Sequence, residues 1–109
     1  MPSYIKLKRK FANSFLEDTE KDPEEWITEL EALKTQMNNV KIPGKTNMLE
    51  VDVVIHVMAS LPEEYKVAVS ILEEKMMNLS DPITMAEICK KVCLRHDQLK
   101  KHEEKASED

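Results

Sequence analysis

Cys89, Cys93 and His96 are the residues whose types and spacing come nearest to a chemical site. At i, i+4 and i+7 on one helix, two thiolates and an imidazole would face a common point, the donor set of a zinc ion. A structural zinc site takes a fourth ligand and usually joins separate chain segments, so the plainer reading makes both cysteines small buried hydrophobes and leaves His96 at the core edge. No metal is expected. His56, with Asp52 four positions before it, would suit a general base, but a base needs a nucleophile or a substrate pocket and the chain shows neither. It reads as a hydrogen-bonded or partly exposed histidine. Lys6, Lys8, Arg9 and Lys10, with Tyr4 and Phe11 beside them, form a cationic run suited to RNA phosphates or a lipid surface, with a solvated helix face as the plain alternative. The single Gly rules out a Gly-rich phosphate loop, and neither H-E-x-x-H nor G-x-S-x-G occurs. The chain is therefore read as a non-enzyme with no cofactor and no small-molecule substrate.

These residues have to be held by helices. One Gly against five Pro leaves almost no material for hairpin turns, and 109 residues suffice for one core. An all-α fold, a compact bundle of about five helices, is expected. The net charge of −5 argues against general affinity for nucleic acid or acidic membranes, so any polyanion contact must be local. There is no apolar run long enough for a membrane span or a signal peptide, and the two cysteines are read as free thiols in a reducing, cytoplasmic setting.

Along the chain, Tyr4, Leu7, Phe11 and Phe15 recur at helical spacing with a basic back. Asp22-Pro23-Glu24-Glu25 reads as a helix start, with Asp22 as N-cap and Glu25 reaching back as in a capping box. Trp26, Leu30, Leu33 and Met37 then form one apolar stripe. That helix should stop near "NNVKIPGK", where Pro43-Gly44 is the plausible hinge. "MLEVDVVIHVMASL" is apolar on nearly every face except a line through Asp52, His56 and Ser60, and is read as the buried central helix, although its β-branched residues also suit a strand. "LPEEY" ends it: Pro62 cannot sit inside a helix but fits the first turn of the next, whose inward face is Tyr65, Ala68, Val69, Leu72 and Met76. "NLSDPI" breaks the chain again. Thr84 and Glu87 form a second capping box, opening a last helix with Met85, Ile88, Val92 and Leu99 inward. The domain is read as residues 1–99, followed by a charged tail over 100–109 that frays into solvent.

The order "DPEEWITELEALKTQM", an apolar helix ending in "SLPEEY", then "ITMAEICKKVCLRHDQL" resembles the capsid region of the Gag polypeptide of copia-type LTR retrotransposons, roughly over Phe11 to Leu99. In such capsids an aromatic-plus-leucine helix precedes a Leu-Pro-x-x-Tyr corner and a final helix opened by a Thr-x-x-Glu-like box. Carried over residue by residue, the resemblance makes Trp26, Leu30 and Leu33 a packed stripe, Leu61, Pro62 and Tyr65 a corner, and Ile88 a packing residue of the last helix. It implies a small helical structural protein that self-associates into a shell around the element's RNA, and it fits a piece of a longer polyprotein. Exposed apolar side chains, among them Val67, Met76 and Met77, are expected to make the homomeric contacts. The alternative is a domesticated, capsid-derived adaptor that holds a partner protein's helix in a groove.

Overall fold

The computed structural model describes residues 3–78 and 83–107, with side chains as far as Lys101. Five α-helices form among them: α1 (Tyr4–Ala12), α2 (Pro23–Asn39), α3 (Glu50–Ala59), α4 (Lys66–Asn78) and α5 (Met85–Ser107), with a 3₁₀ turn at Glu63–Tyr65 leading into α4. The fold is all-α, as composition requires.

The frame is made by α2 and α5, which pack on each other; α3 lies against both, α1 against α2, and α4 against α5. The molecule is only 18 Å thick, about two helix diameters. Trp26, Leu30, Leu33 and Met37 are buried on α2 and meet Ile88 and Val92 of α5 in one apolar cluster. α3 is therefore not the enclosed central helix that its composition suggests. It buries a stripe of Val53, Val54 and Val57, while Ile55 on its far side is exposed, because its neighbours do not cover the helix all round.

The helix ends follow local chemistry, with differences from the expected caps. The Asp22 carboxylate accepts from the Glu24 N–H at 3.0 Å with Pro23 in the first turn, so Asp22 caps α2 without a return bond from Glu25 among the described residues. Asn39 ends α2 as expected, and Gly44 takes a positive φ of 83° in the loop beyond, a conformation open to Gly at little cost. That loop is clamped, not hinged. The Asn38 side-chain amide donates to the Met48 carbonyl at 3.0 Å and accepts from the Met48 N–H at 2.8 Å, while the Lys45 ammonium donates to the Met37 carbonyl at the end of α2 and lies over the Tyr4 ring.

α1 stops at Ala12, so Phe15 never joins its inward stripe. The chain turns at Asn13–Ser14, Phe15 faces solvent, and Leu16 is buried in its place. Pro62 also stands one step earlier than expected: it is the N-cap of the 3₁₀ turn, with its carbonyl accepting from the Tyr65 N–H at 3.0 Å. Thr84 caps α5 by accepting from the Glu87 N–H at 3.2 Å, but the Glu87 carboxylate is spent on Lys75 of α4 at 3.1 Å and not on a return bond. A carboxylate from α3 completes that end, Glu50 accepting from the Met85 N–H at 3.2 Å. The break expected at "NLSDPI" falls largely on residues 79–82, outside the described residues. The backbone of α5 continues past Leu99 to Ser107; Lys, Glu and Ala are strong helix formers and extend a helix already nucleated by packing.

Candidate functional site

Each residue group with chemical potential has a definite place in the fold. Cys89 and Cys93 do meet, with Sγ atoms 3.7 Å apart on half-buried positions of α5. Burial, reinforced by the hydrogen bond with Cys89, pushes the Cys93 thiol from its ordinary 9.0 up to about 12; a thiol held protonated in this way is a poor nucleophile. His96 does not turn to join them. It is buried, and its Nδ1 lies 3.2 Å from the Tyr65 hydroxyl. Burial, the largest influence, also raises the Tyr65 phenol from 10.0 to about 12, which keeps its proton available for donation to the imidazole. Among the described residues no three His, Cys, Asp or Glu side chains converge as metal ligands.

His56 serves as a tie. Its Nε2 donates to the Ser14 carbonyl at 2.8 Å, with Ser60 Oγ a more distant neighbour at 3.4 Å, and its ring leans on Phe11 with centroids 4.5 Å apart. Ser14 is the other half of this arrangement, because its hydroxyl accepts from the Trp26 indole N–H at 2.9 Å. The Leu16 N–H then donates to the Ser60 carbonyl at 3.0 Å. The segment between α1 and α2 is thus stitched to both α2 and α3. Sequence reasoning misses Ser14, since nothing in its neighbours marks a serine that serves two helices.

The "LPEEY" corner is held the same way. Tyr65 is fully buried with its hydroxyl on His96, and the Arg95 Nε donates to the Glu64 carbonyl at 3.1 Å. Leu61 and Pro62 are half-buried around it. Trp26, Leu30, Leu33, Tyr65 and Ile88 are all core residues. Lys6, Lys8, Arg9 and Lys10 are exposed on α1, which contains no acidic residue in its nine.

Large apolar side chains are exposed at Ile5, Phe15, Ile42 and Leu49, and others lie along both flanks of α4. On the α5 side, Val67, Ala68, Ile71 and Leu94 border a groove of about 260 Å³ whose other lining residues are Lys91, Arg95 and Gln98. Towards α3, Ile55, Met58, Ala59, Val69 and Met76 border another of about 240 Å³, with Glu73 as its charged member. Both lie below the roughly 300–1,000 Å³ of ordinary small-molecule sites. No family model, curated protein or solved structure matches this chain.

α4 packs mainly on α5 and on the 3₁₀ turn; Leu72 is its only fully buried residue. Of the side chains expected at the surface, Val67 and Met77 are exposed, whereas Met76 is half-buried against the core. Ile71, Leu94 and Ile55 join them at the surface without being marked by the sequence pattern. The available signal is the i, i+4 pair Val67–Ile71, which lies off the face defined by Tyr65 and Leu72.

Proposed function

We propose that this chain is a non-enzymatic structural protein of the Gag capsid kind found in copia-type LTR retrotransposons, one that self-associates inside the cell into a shell around the element's RNA. The observation that carries the proposal is the apolar surface on both flanks of α4. Val67, Ile71 and Leu94 on one side and Ile55 on the other stay exposed, and a small fold can add buried apolar area by association. The ordered sequence motifs support the same reading. So does the engagement of His56, His96 and the cysteines in structural contacts. In this reading the cationic face of α1 is the contact for RNA phosphates.

Light scattering coupled to size-exclusion chromatography, run from micromolar to millimolar protein at low and high salt, tests this. Mass growth with concentration that persists or strengthens at high salt is expected, because apolar contacts are not screened. A strict monomer throughout would refute self-association. A second reading, a capsid-derived adaptor that holds a partner's helix, is favoured by one feature, the cationic edge that Lys91 and Arg95 give the α4–α5 groove. A chain that stayed monomeric while its Val67, Ile71 and Leu94 amide resonances shifted on addition of an acidic amphipathic peptide would support that reading instead.

A further inference from the structure

We infer that the RNA contact of this chain has two parts, the outer face of α1 and the loop between α2 and α3, where Lys41 supplies a further phosphate contact; this inference rests on the RNA reading of α1 proposed above. The sequence is divided by charge. Residues 1–16 and 32–49 contain seven Lys or Arg and no Asp or Glu, whereas the rest of the chain contains nine against twenty-one. A chain of net charge −5 therefore carries +7 on two segments and −12 on everything else.

The fold brings the two segments together. α1 packs on α2, and Lys45, in the loop after α2, sets its ammonium 5.4 Å from the centre of the Tyr4 ring at the start of α1. The same ammonium donates to the Met37 carbonyl at 3.2 Å and to Asn47 Oδ1 at 3.3 Å, which uses two of its three donors. The Lys45 N–H donates to the Ile42 carbonyl at 3.0 Å, closing the loop into a turn that Gly44 passes at positive φ. The loop is thus pinned beside α1. Lys41 is exposed just before the turn and borders, with Lys45 and Asn47, an open hollow of about 420 Å³.

On α1, Lys6, Lys8, Arg9 and Lys10 are exposed, and neither they nor Lys41 make an ion pair among the described residues. The carboxylates that bound the two segments are Glu17, past the C-terminal end of α1, Glu31 on α2 and Glu50 at the start of α3. Glu50 accepts from the Met85 N–H at 3.2 Å, and Asp52 after it from the Leu49 N–H at 2.9 Å. Cations without carboxylate partners, gathered on one part of an acidic chain, are the electrostatic footprint of a polyanion contact.

The make-up of the face favours an RNA strand over other acidic surfaces. Leu7 and Phe11, the apolar side of α1, are buried in the core, so the helix has no apolar face to lay into a lipid boundary. An RNA strand bears a phosphate at every nucleotide and no cation of its own, so it meets an acid-free face without like-charge contact, whereas protein surfaces ordinarily intersperse both signs. The acidic remainder of the chain repels the strand and confines it to this part of the surface.

Fluorescence anisotropy with a labelled single-stranded oligouridylate tests the site. Lys41→Gln should weaken binding about five-fold at about 0.1 M salt and lower the log–log salt slope by about 0.7, the counterion share of one phosphate. Lys66→Gln removes the same charge from an exposed position beside Glu63 and Glu64 and should leave affinity nearly unchanged; an equal loss in both variants would reduce the effect to net charge and overturn the inference. On titration with the oligonucleotide, the amide resonances of Lys41 and Gly44 should shift together with those of Lys8 and Arg9. Binding that is lost when Lys8, Arg9 and Lys10 become Gln but is unaltered in Lys41→Gln would overturn the two-part site while leaving α1 as the RNA contact. A wild-type chain that binds no oligonucleotide would overturn both. Polyglutamate that competed as well as the RNA at equal charge would overturn RNA as the occupant.

Discussion

Replacing Ser14 with Ala removes one hydroxyl and leaves the backbone in place, yet it should destabilise the whole bundle. The Ser14 hydroxyl is the acceptor for the Trp26 indole N–H at 2.9 Å, and Trp26 is completely buried. Without the hydroxyl the N–H is stranded in the core, which costs about 1–3 kcal/mol. The Ser14 carbonyl still takes its bond from His56, so the loss is confined to one donor. For a domain near this size, each kcal/mol lowers Tm by roughly 4–8 °C. Trp26 is the chain's single tryptophan, and urea unfolding followed by its fluorescence gives the free energy directly. The midpoint should fall with the slope unchanged, and Ser14→Thr, which keeps a hydroxyl, should recover part of the loss. Trp26→Phe removes the donor itself, so the double variant, followed by circular dichroism, should cost less than the sum of the singles by about 1 kcal/mol. A Ser14→Ala stability within about 0.3 kcal/mol of wild type, or strict additivity in the double variant, would refute the argument.

Alkaline pH should destabilise the fold through Tyr65 and Cys93. Burial raises Tyr65 from 10.0 to about 12 and Cys93 from 9.0 to about 12, so above those ordinary values the unfolded chain loses protons first. Their contribution is full below about pH 9 and is lost as pH rises towards 12, amounting to roughly 2–3 kcal/mol for the buried phenol at 1.36 kcal/mol per unit. Tyr65→Phe combined with Cys93→Ala should flatten that decline in urea titrations between pH 8 and 12; an unchanged slope would refute the assignment. On α1, replacing Lys8, Arg9 and Lys10 with Gln should weaken retention of single-stranded RNA and reduce its log–log salt slope by about 0.7 for each phosphate that is no longer neutralised, and unaltered retention would remove this helix from RNA binding.

The sequence by itself determined where the helices form. Pro23 and Asp22 start α2, the Trp26, Leu30, Leu33 and Met37 stripe orients it, and Leu61-Pro62 closes α3 before Tyr65 turns inward, because these signals act over three or four residues and do not depend on what lies across the core. The same local logic fails where partners are distant in the chain. The apolar run of α3 looks enclosed, but whether Ile55 is covered depends on how many helices reach it, and only packing decides that. Likewise the periodicity that places Phe15 with Phe11 carries no record that the helix ends at Ala12 so that Ser14 can serve Trp26 and His56. Glu50 at the start of α5, Glu87 on Lys75 and His96 on Tyr65 are pairings between segments far apart in the chain. The open flanks of α4 belong to the same class, because a surface is what tertiary packing leaves uncovered: Val67, Ile71 and Leu94 are ordinary apolar residues in the sequence, and they become a shared face only once α5 lies antiparallel beside α4.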